Sequence, residues 1–240
     1  MATTSERLNH DITAFFGYFG TRADNVEQLE GKGPFAPDQH VLIAAGLDAL
    51  AGYWGRLYAP SIKSGAERMS QFLLTHSNRA IIGKCSGPDA MRRAVAQQKP
   101  WASVLATAVG HRPFGGLVRS WRDDPDCDAL CGARAVLAAG IDATWLRRSS
   151  YGEILYRKYR CAWVHELEGS SDLSYFDDDL SAEPQYQNKV IARPCHPAHV
   201  PVPVDQRLIL TKRFLMSVYR QAIASFEKAC RDDGRSPLPQ

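Results

Sequence analysis

DQHVLIAAGLDALAGYWGRLY, residues 38–58, is the longest nearly uninterrupted apolar stretch of the chain. It begins directly after Pro37, a residue well suited to the start of a helix. Its apolar residues fall on almost every side of a 3.6-residue winding rather than along one stripe, which predicts a central, buried helix. Asp48 is the only charged residue between His40 and Arg56. A carboxylate in such a helix must find a partner or be neutralised. Its partner is either Arg160 or His165, which would make it part of a site, or a structural arginine or backbone amide. The sequence leaves that choice open.

Outward from this segment the periodicity stays helical. SERLNHDITAFFGYF (5–19) carries Leu8, Ile12, Phe15, Phe16 and Phe19 on roughly one side, and EGKGPFAP (30–37) breaks the pattern. SGAERMSQFLLTH (64–76) builds an amphipathic helix on Met69, Phe72, Leu73 and His76. ARAVLAAGIDATWL (133–146) and SYGEILYRKYRCAWVHEL (150–167) read as helices, the second with Ser150 as N-cap and Glu153 completing a capping box. A closing helix over about 211–232 presents Leu215, Val218, Tyr219, Ala222, Phe226 and Ala229.

Two regions lack that order. Residues 84–133 include GHRPFGGLVRSWRDDPDCDALCG (110–132), rich in Gly, Pro and Asp and read as a looped insertion. Residues 169–206 begin polar and acidic, then QNKVIA (187–192) reads as a short strand. ARPCHPAHVPVPVD (192–205) is too proline-rich for a helix, and RLILT (207–211) is a partner strand or the start of the last helix. The expectation is a mostly all-α fold, one helical domain over 1–240. It has irregular insertions at about 84–133 and 169–206, and a small β-hairpin before the C-terminal helix.

At 240 residues the chain can bury a full core, and its 45% hydrophobic and 23% charged content argue against global disorder. A net charge of +3 permits contact with a polyanion without arguing for one. No apolar run is long enough for a membrane span, and the N-terminal residues lack the apolar core of a secretory signal, so no membrane partner is expected. With no export signal, the six cysteines are expected as reduced thiols in a cytoplasmic protein. The phosphate-binding loop, the dinucleotide fingerprint and the hydrolase nucleophile elbow are all absent, and no cofactor is expected.

The chemistry concentrates in LYRKYRCAWVHELEG (155–169). A zinc helix of the HExxH type fails here, because Gly169 stands where the second histidine belongs. A metal site built from Cys127 and Cys131 with Cys195, His196 and His199 is disfavoured. Its first spacing is C-x3-C, and prolines bracket the second group. No metal is therefore expected. Arg160 and His165 remain, five residues apart. On an ideal α-helix they diverge by about 140° with a rise of about 7.5 Å, so helix termination, the reach of arginine or a second subunit must bring them together. Imidazole titrates near neutrality and can pass protons, while guanidinium holds a permanent charge suited to phosphate. The two suit metal-free cleavage of a phosphodiester by the ribose 2′-OH. Arg147, Arg148, Arg157 and Lys158 add positive charge for an RNA backbone, or form a solvated face. Tyr151, Tyr156, Tyr159 and Trp163 stack bases, or fill a core or dimer interface.

The R-x4-H in LYRKYRCAWVHE (155–166) resembles the R-x4-6-H signature of the HEPN superfamily (higher eukaryote and prokaryote nucleotide-binding). The likeness is to the LY-x-x-x-R-x-x-x-V-H-E version of uncharacterised bacterial HEPN-like proteins. LIAAGLDALAGYWG (42–55) resembles their central helix and ERMSQFLLTH (67–76) the helix that follows. The three segments agree in order and spacing and touch about a third of the residues. The resemblance implies a HEPN-like helical bundle that dimerises, bringing two R-x4-H motifs to one composite cleft. It implies a metal-independent endoribonuclease, with toxin–antitoxin or antiphage systems as the setting and an antitoxin protein as partner. Arg160 would hold the scissile phosphate and His165 would transfer protons, with Asp48, Cys161 and Glu166 as supporting residues. Where the family usually carries Asn, Asp or His after the arginine, this chain has Cys161, a weak hydrogen-bonding group. A non-catalytic HEPN-like binding or assembly module is the rival reading.

Overall fold

A computed structural model describes residues 4–29, 37–110, 120–166, 181–190 and 204–238. The fold is mostly all-α, with eleven α-helices, a π-helix and one two-stranded sheet among these residues. No described helix is long and apolar enough to cross a membrane.

Four long or middle-length helices form the main core. α1 (Thr4–Gln28) outruns its expected span, because its buried stripe continues from Phe15, Phe16 and Phe19 through Ala23 to Val26. α2 (Pro37–Tyr58) is the central element and packs against α1, the helices Gly65–His76 and Lys212–Asp233, and the π-helix Leu155–Glu166. Ile43, Leu47, Leu50 and Ala51 are buried, while Ala49 is exposed. α3 (Gly65–His76) starts at Ser64, whose Oγ accepts from Glu67 N at 3.3 Å. Such a cap satisfies one of the unpaired N–H groups at a helix start. α11 (Lys212–Asp233) is capped by Thr211 and ends at Gly234, whose φ of 62° is the left-handed turn that glycine tolerates at a helix end. Phe72, Leu73, Tyr219 and Phe226 fill the space between these helices. Burying each such side chain stabilises the fold by about 1.5–3 kcal/mol.

The described residues of 84–133, which leave out 111–119, depart from the expected irregular insertion. α4 (Arg79–Ile82) leads into α5 (Gly87–Ala96) and α6 (Ala102–Ala108). A 3-10 turn at Trp121–Asp123 then precedes α7 (Cys127–Gly132). Ser86, Ser120 and Asp126 cap three of these starts. The helices are too short for a periodic stripe, and small residues such as Ala90 and Ala94 do the burying. α8 (Arg134–Ala138) and α9 (Ala143–Arg147) replace the single helix expected over 133–146, with Gly140 at φ 65° between them. Together these segments enclose a second apolar cluster around Cys85, Leu105, Val136 and Leu146.

α10 (Tyr151–Ile154) begins at Ser150, whose Oγ accepts from Glu153 N at 3.3 Å, and runs directly into the π-helix Leu155–Glu166. The hairpin pairs β1 (Gln185–Val190) antiparallel with β2 (Val204–Ile209), from Gln185 opposite Ile209 to Val190 opposite Val204. It precedes α11, as expected, with each strand beginning two or three residues earlier than read from sequence. Tyr186 anchors it by donating to Asp124 Oδ2 at 2.5 Å.

Candidate functional site

The π-helix distributes five consecutive side chains to different surroundings. Tyr156 lies against the start of α3, where a Cβ on Gly65 would collide with its hydroxyl. Arg157 Nε donates to Glu153 Oε2 at 2.7 Å. Lys158 Nζ donates to Asp89 Oδ1 on α5 at 2.5 Å. The Tyr159 hydroxyl accepts from Leu210 N at 2.7 Å, just past the hairpin. Arg160 turns to α2, where its Nε donates to Asp48 Oδ2 at 2.9 Å.

That last bond fixes the partner of the lone carboxylate in α2. The Asp48 and Arg160 side chains are 20% and 22% exposed, so the pair is mostly withdrawn from water but reachable. Burial alone would lower the pKa of the Arg160 guanidinium. The charge of Asp48, Tyr156 and hydrogen bonds to Asp48 and Cys161 together outweigh it, and the pKa stands above the ordinary arginine value. The guanidinium carbon also lies 5.6 Å from the centre of the Tyr156 ring, a cation–π separation. Burial likewise raises the Tyr156 phenol, with Cys161 and Asp48 adding to the shift. Asp48, Arg160, Cys161 and Tyr156 therefore form one cluster. Tyr156 belongs to it as an arginine neighbour one helical turn back.

The side chains of residues 162–166, and with them His165, Glu166 and Trp163, lie outside the described residues. The backbone still bears on the pair. A π-helix joins residue i to residue i+5, which is the spacing of Arg160 and His165. Its winding is wider than the 3.6 residues per turn of an α-helix. Positions 160 and 165 are thus nearer to one full turn apart than the 140° offset expected for α-helical winding.

The surrounding charge is largely paired within the chain. Besides Arg157 and Lys158, Arg147 meets Asp128 at 3.4 Å. Tyr151 and Tyr159 are buried in the core, so their bulk serves packing. A polar network missed by the sequence reading underlies the site. Buried Asp124 accepts from the hydroxyls of Tyr151 at 2.7 Å and Tyr186 at 2.5 Å. Buried Asp89 accepts from Lys158, from Arg92 at 3.3 Å and from the Ser149 hydroxyl at 2.8 Å. No spacing signal marks Asp124 in sequence, because its tyrosine partners lie 27 and 62 residues away; of the partners of Asp89 only Arg92 is near, at three residues, and Ser149 and Lys158 lie 60 and 69 away.

Cys195, His196 and His199 fall outside the described residues. Among the described residues no group of three or more His, Cys, Asp or Glu side chains is placed to hold a metal ion. The chain matches no family model, no curated protein and no solved structure.

Proposed function

We propose that this chain is a HEPN-like, metal-independent endoribonuclease that acts through Arg160 and His165 as a homodimer. A toxin–antitoxin or antiphage setting, with an antitoxin protein as partner, belongs to the same proposal. The observation that carries it is the 2.9 Å bond from Arg160 Nε to Asp48. A guanidinium gripped along one edge by a carboxylate is pre-oriented, so less freedom is lost when it meets a phosphate. In the reaction, the His165 imidazole accepts the proton of the ribose 2′-OH as that oxygen attacks phosphorus. Arg160 stabilises the charge that builds on the phosphoryl oxygens, and the 5′-oxygen leaves as it gains a proton.

A second reading has its own support. The same ion pair ties the π-helix to α2, and Cys161 stands beside Arg160 where a stronger hydrogen-bonding residue would serve catalysis better. In that reading the chain is a non-catalytic binding or assembly module.

Sedimentation and cleavage assays separate the two. A composite site requires a particle of twice the 26.6 kDa chain mass at micromolar concentration; a particle of single-chain mass refutes the dimer. His165→Ala, shown folded by circular dichroism, abolishes RNA cleavage if His165 transfers the proton. Unchanged cleavage by that variant removes His165 from the mechanism, and an inert wild type across varied RNAs favours the binding module.

A further inference from the structure

The segment Gly83–Cys85 runs antiparallel to Pro125–Cys127, outside the hairpin and remote from Arg160 in sequence. Cys85 N donates to Pro125 O at 2.9 Å, Cys127 N donates to Gly83 O at 2.8 Å, and Lys84 pairs with Asp126 between them. In that register positions 85 and 127 share one face, and the two thiols interact directly. Cys131, one helical turn beyond Cys127, also interacts with it. The three thiols do not converge as a metal site.

Their surroundings differ. Cys85 is fully buried in the second apolar cluster. Cys127 is nearly buried but forms part of the wall of an open cleft of about 800 Å³, beside Arg79, Asp128, Thr144 and Arg147. Cys127 lines that cleft and Cys85 does not. The Cys127 thiol is held below its ordinary pKa, first by hydrogen bonding with Cys85 and also by Arg147, against burial and Asp128. Cys131 is pushed up to about 11, chiefly by burial, and Cys85 is raised by its hydrogen bond with Cys127 and by burial. The thiolate, which is the nucleophile, therefore forms first at Cys127.

We propose that Cys127 is an oxidant-reactive thiol opening on this cleft, and that it closes a disulfide with Cys85 when a peroxide reaches it. The Cys127 thiolate attacks one peroxide oxygen, the O–O bond breaks, an S–O bond forms, and the other oxygen departs with a proton as water. The Cys85 sulfur then attacks the sulfenic sulfur. An S–S bond replaces the S–O bond, and the departing hydroxide takes the Cys85 proton as a second water. The peroxide is reduced by two electrons and the two thiols are oxidised by two. The product covalently joins the link between α4 and α5 to the start of α7.

The test treats the full chain with hydrogen peroxide, blocks remaining thiols by alkylation and maps the peptides by mass spectrometry. The expected result is a Cys85–Cys127 linked peptide, reversed by dithiothreitol, forming at least about tenfold faster than oxidation of half-buried Cys161. Cys85→Ser removes the link and leaves a Cys127 sulfenic acid that dimedone captures. Cys127 remaining reduced while Cys161 oxidises, or pairing with Cys131 instead, overturns the proposal. The wild-type map decides this alone if Cys85→Ser fails to fold.

Discussion

Lys158 Nζ donates to Asp89 Oδ1 at 2.5 Å, and this one ion pair links the π-helix to α5 of the second apolar cluster. Both side chains are largely buried, at 18% and 4% exposed. A buried pair contributes little over an apolar substitute, but breaking it by removing one partner leaves a stranded charge.

Lys158→Met is therefore expected to destabilise the chain by about 2–3 kcal/mol, less than a full stranded-charge cost because Arg92 and Ser149 still bond Asp89. Urea unfolding measures it, and a change near zero would show that the pair is dispensable. The same variant alters the acid limb. Burial raises the Asp89 pKa, but Lys158, Arg92 and Ser149 outweigh it and hold it below its ordinary value of 3.8. A depressed carboxylate stabilises the fold above its unfolded pKa and loses that contribution as pH falls through the folded one. Wild-type stability should thus drop below about pH 4, and more gently in Lys158→Met.

His76 acts over a different window. It is buried among Trp54, Phe72 and Phe226, and its Nδ1 lies 3.1 Å from Ser225 Oγ. Burial lowers its pKa from 6.5 to about 4. The unfolded chain binds a proton below pH 6.5 that the folded chain refuses until about pH 4. Stability should fall across that interval, and His76→Gln should flatten the slope. An unchanged slope in stability against pH would remove His76 as its source.

Gly65 controls how Tyr156 sits beside Arg160. A larger residue there meets the Tyr156 hydroxyl, and overpacking of this kind costs about 1–3 kcal/mol. Gly65→Val should lower the melting temperature, and adding Tyr156→Phe should recover part of the loss by removing the colliding oxygen. No recovery would place the clash elsewhere.

The sequence shows its long elements and hides its short ones. α3 and α11 carry enough turns for Phe72 and Phe226 to belong to a repeating apolar face, and α2 is long and apolar nearly all round, so all three read directly as helices. α5 to α7 hide because their burial is done by residues such as Ala90, Ala94 and Cys127, within punctuation that looks like loop. The α-helical geometry expected for Arg160 and His165 gives way to π-helical winding, which no residue pattern in 155–166 announces. Asp48 stood out as a lone charge in an apolar helix, yet its partner needed the packing of two elements 112 residues apart.

The most direct measurement of the central claim is the rate of RNA cleavage in EDTA by Arg160→Ala relative to wild type, with folding verified. Wild type is expected to cut without metal and the variant to lose at least about 100-fold, the usual scale for removing a transition-state charge donor. Equal rates in the two folded proteins would contradict it.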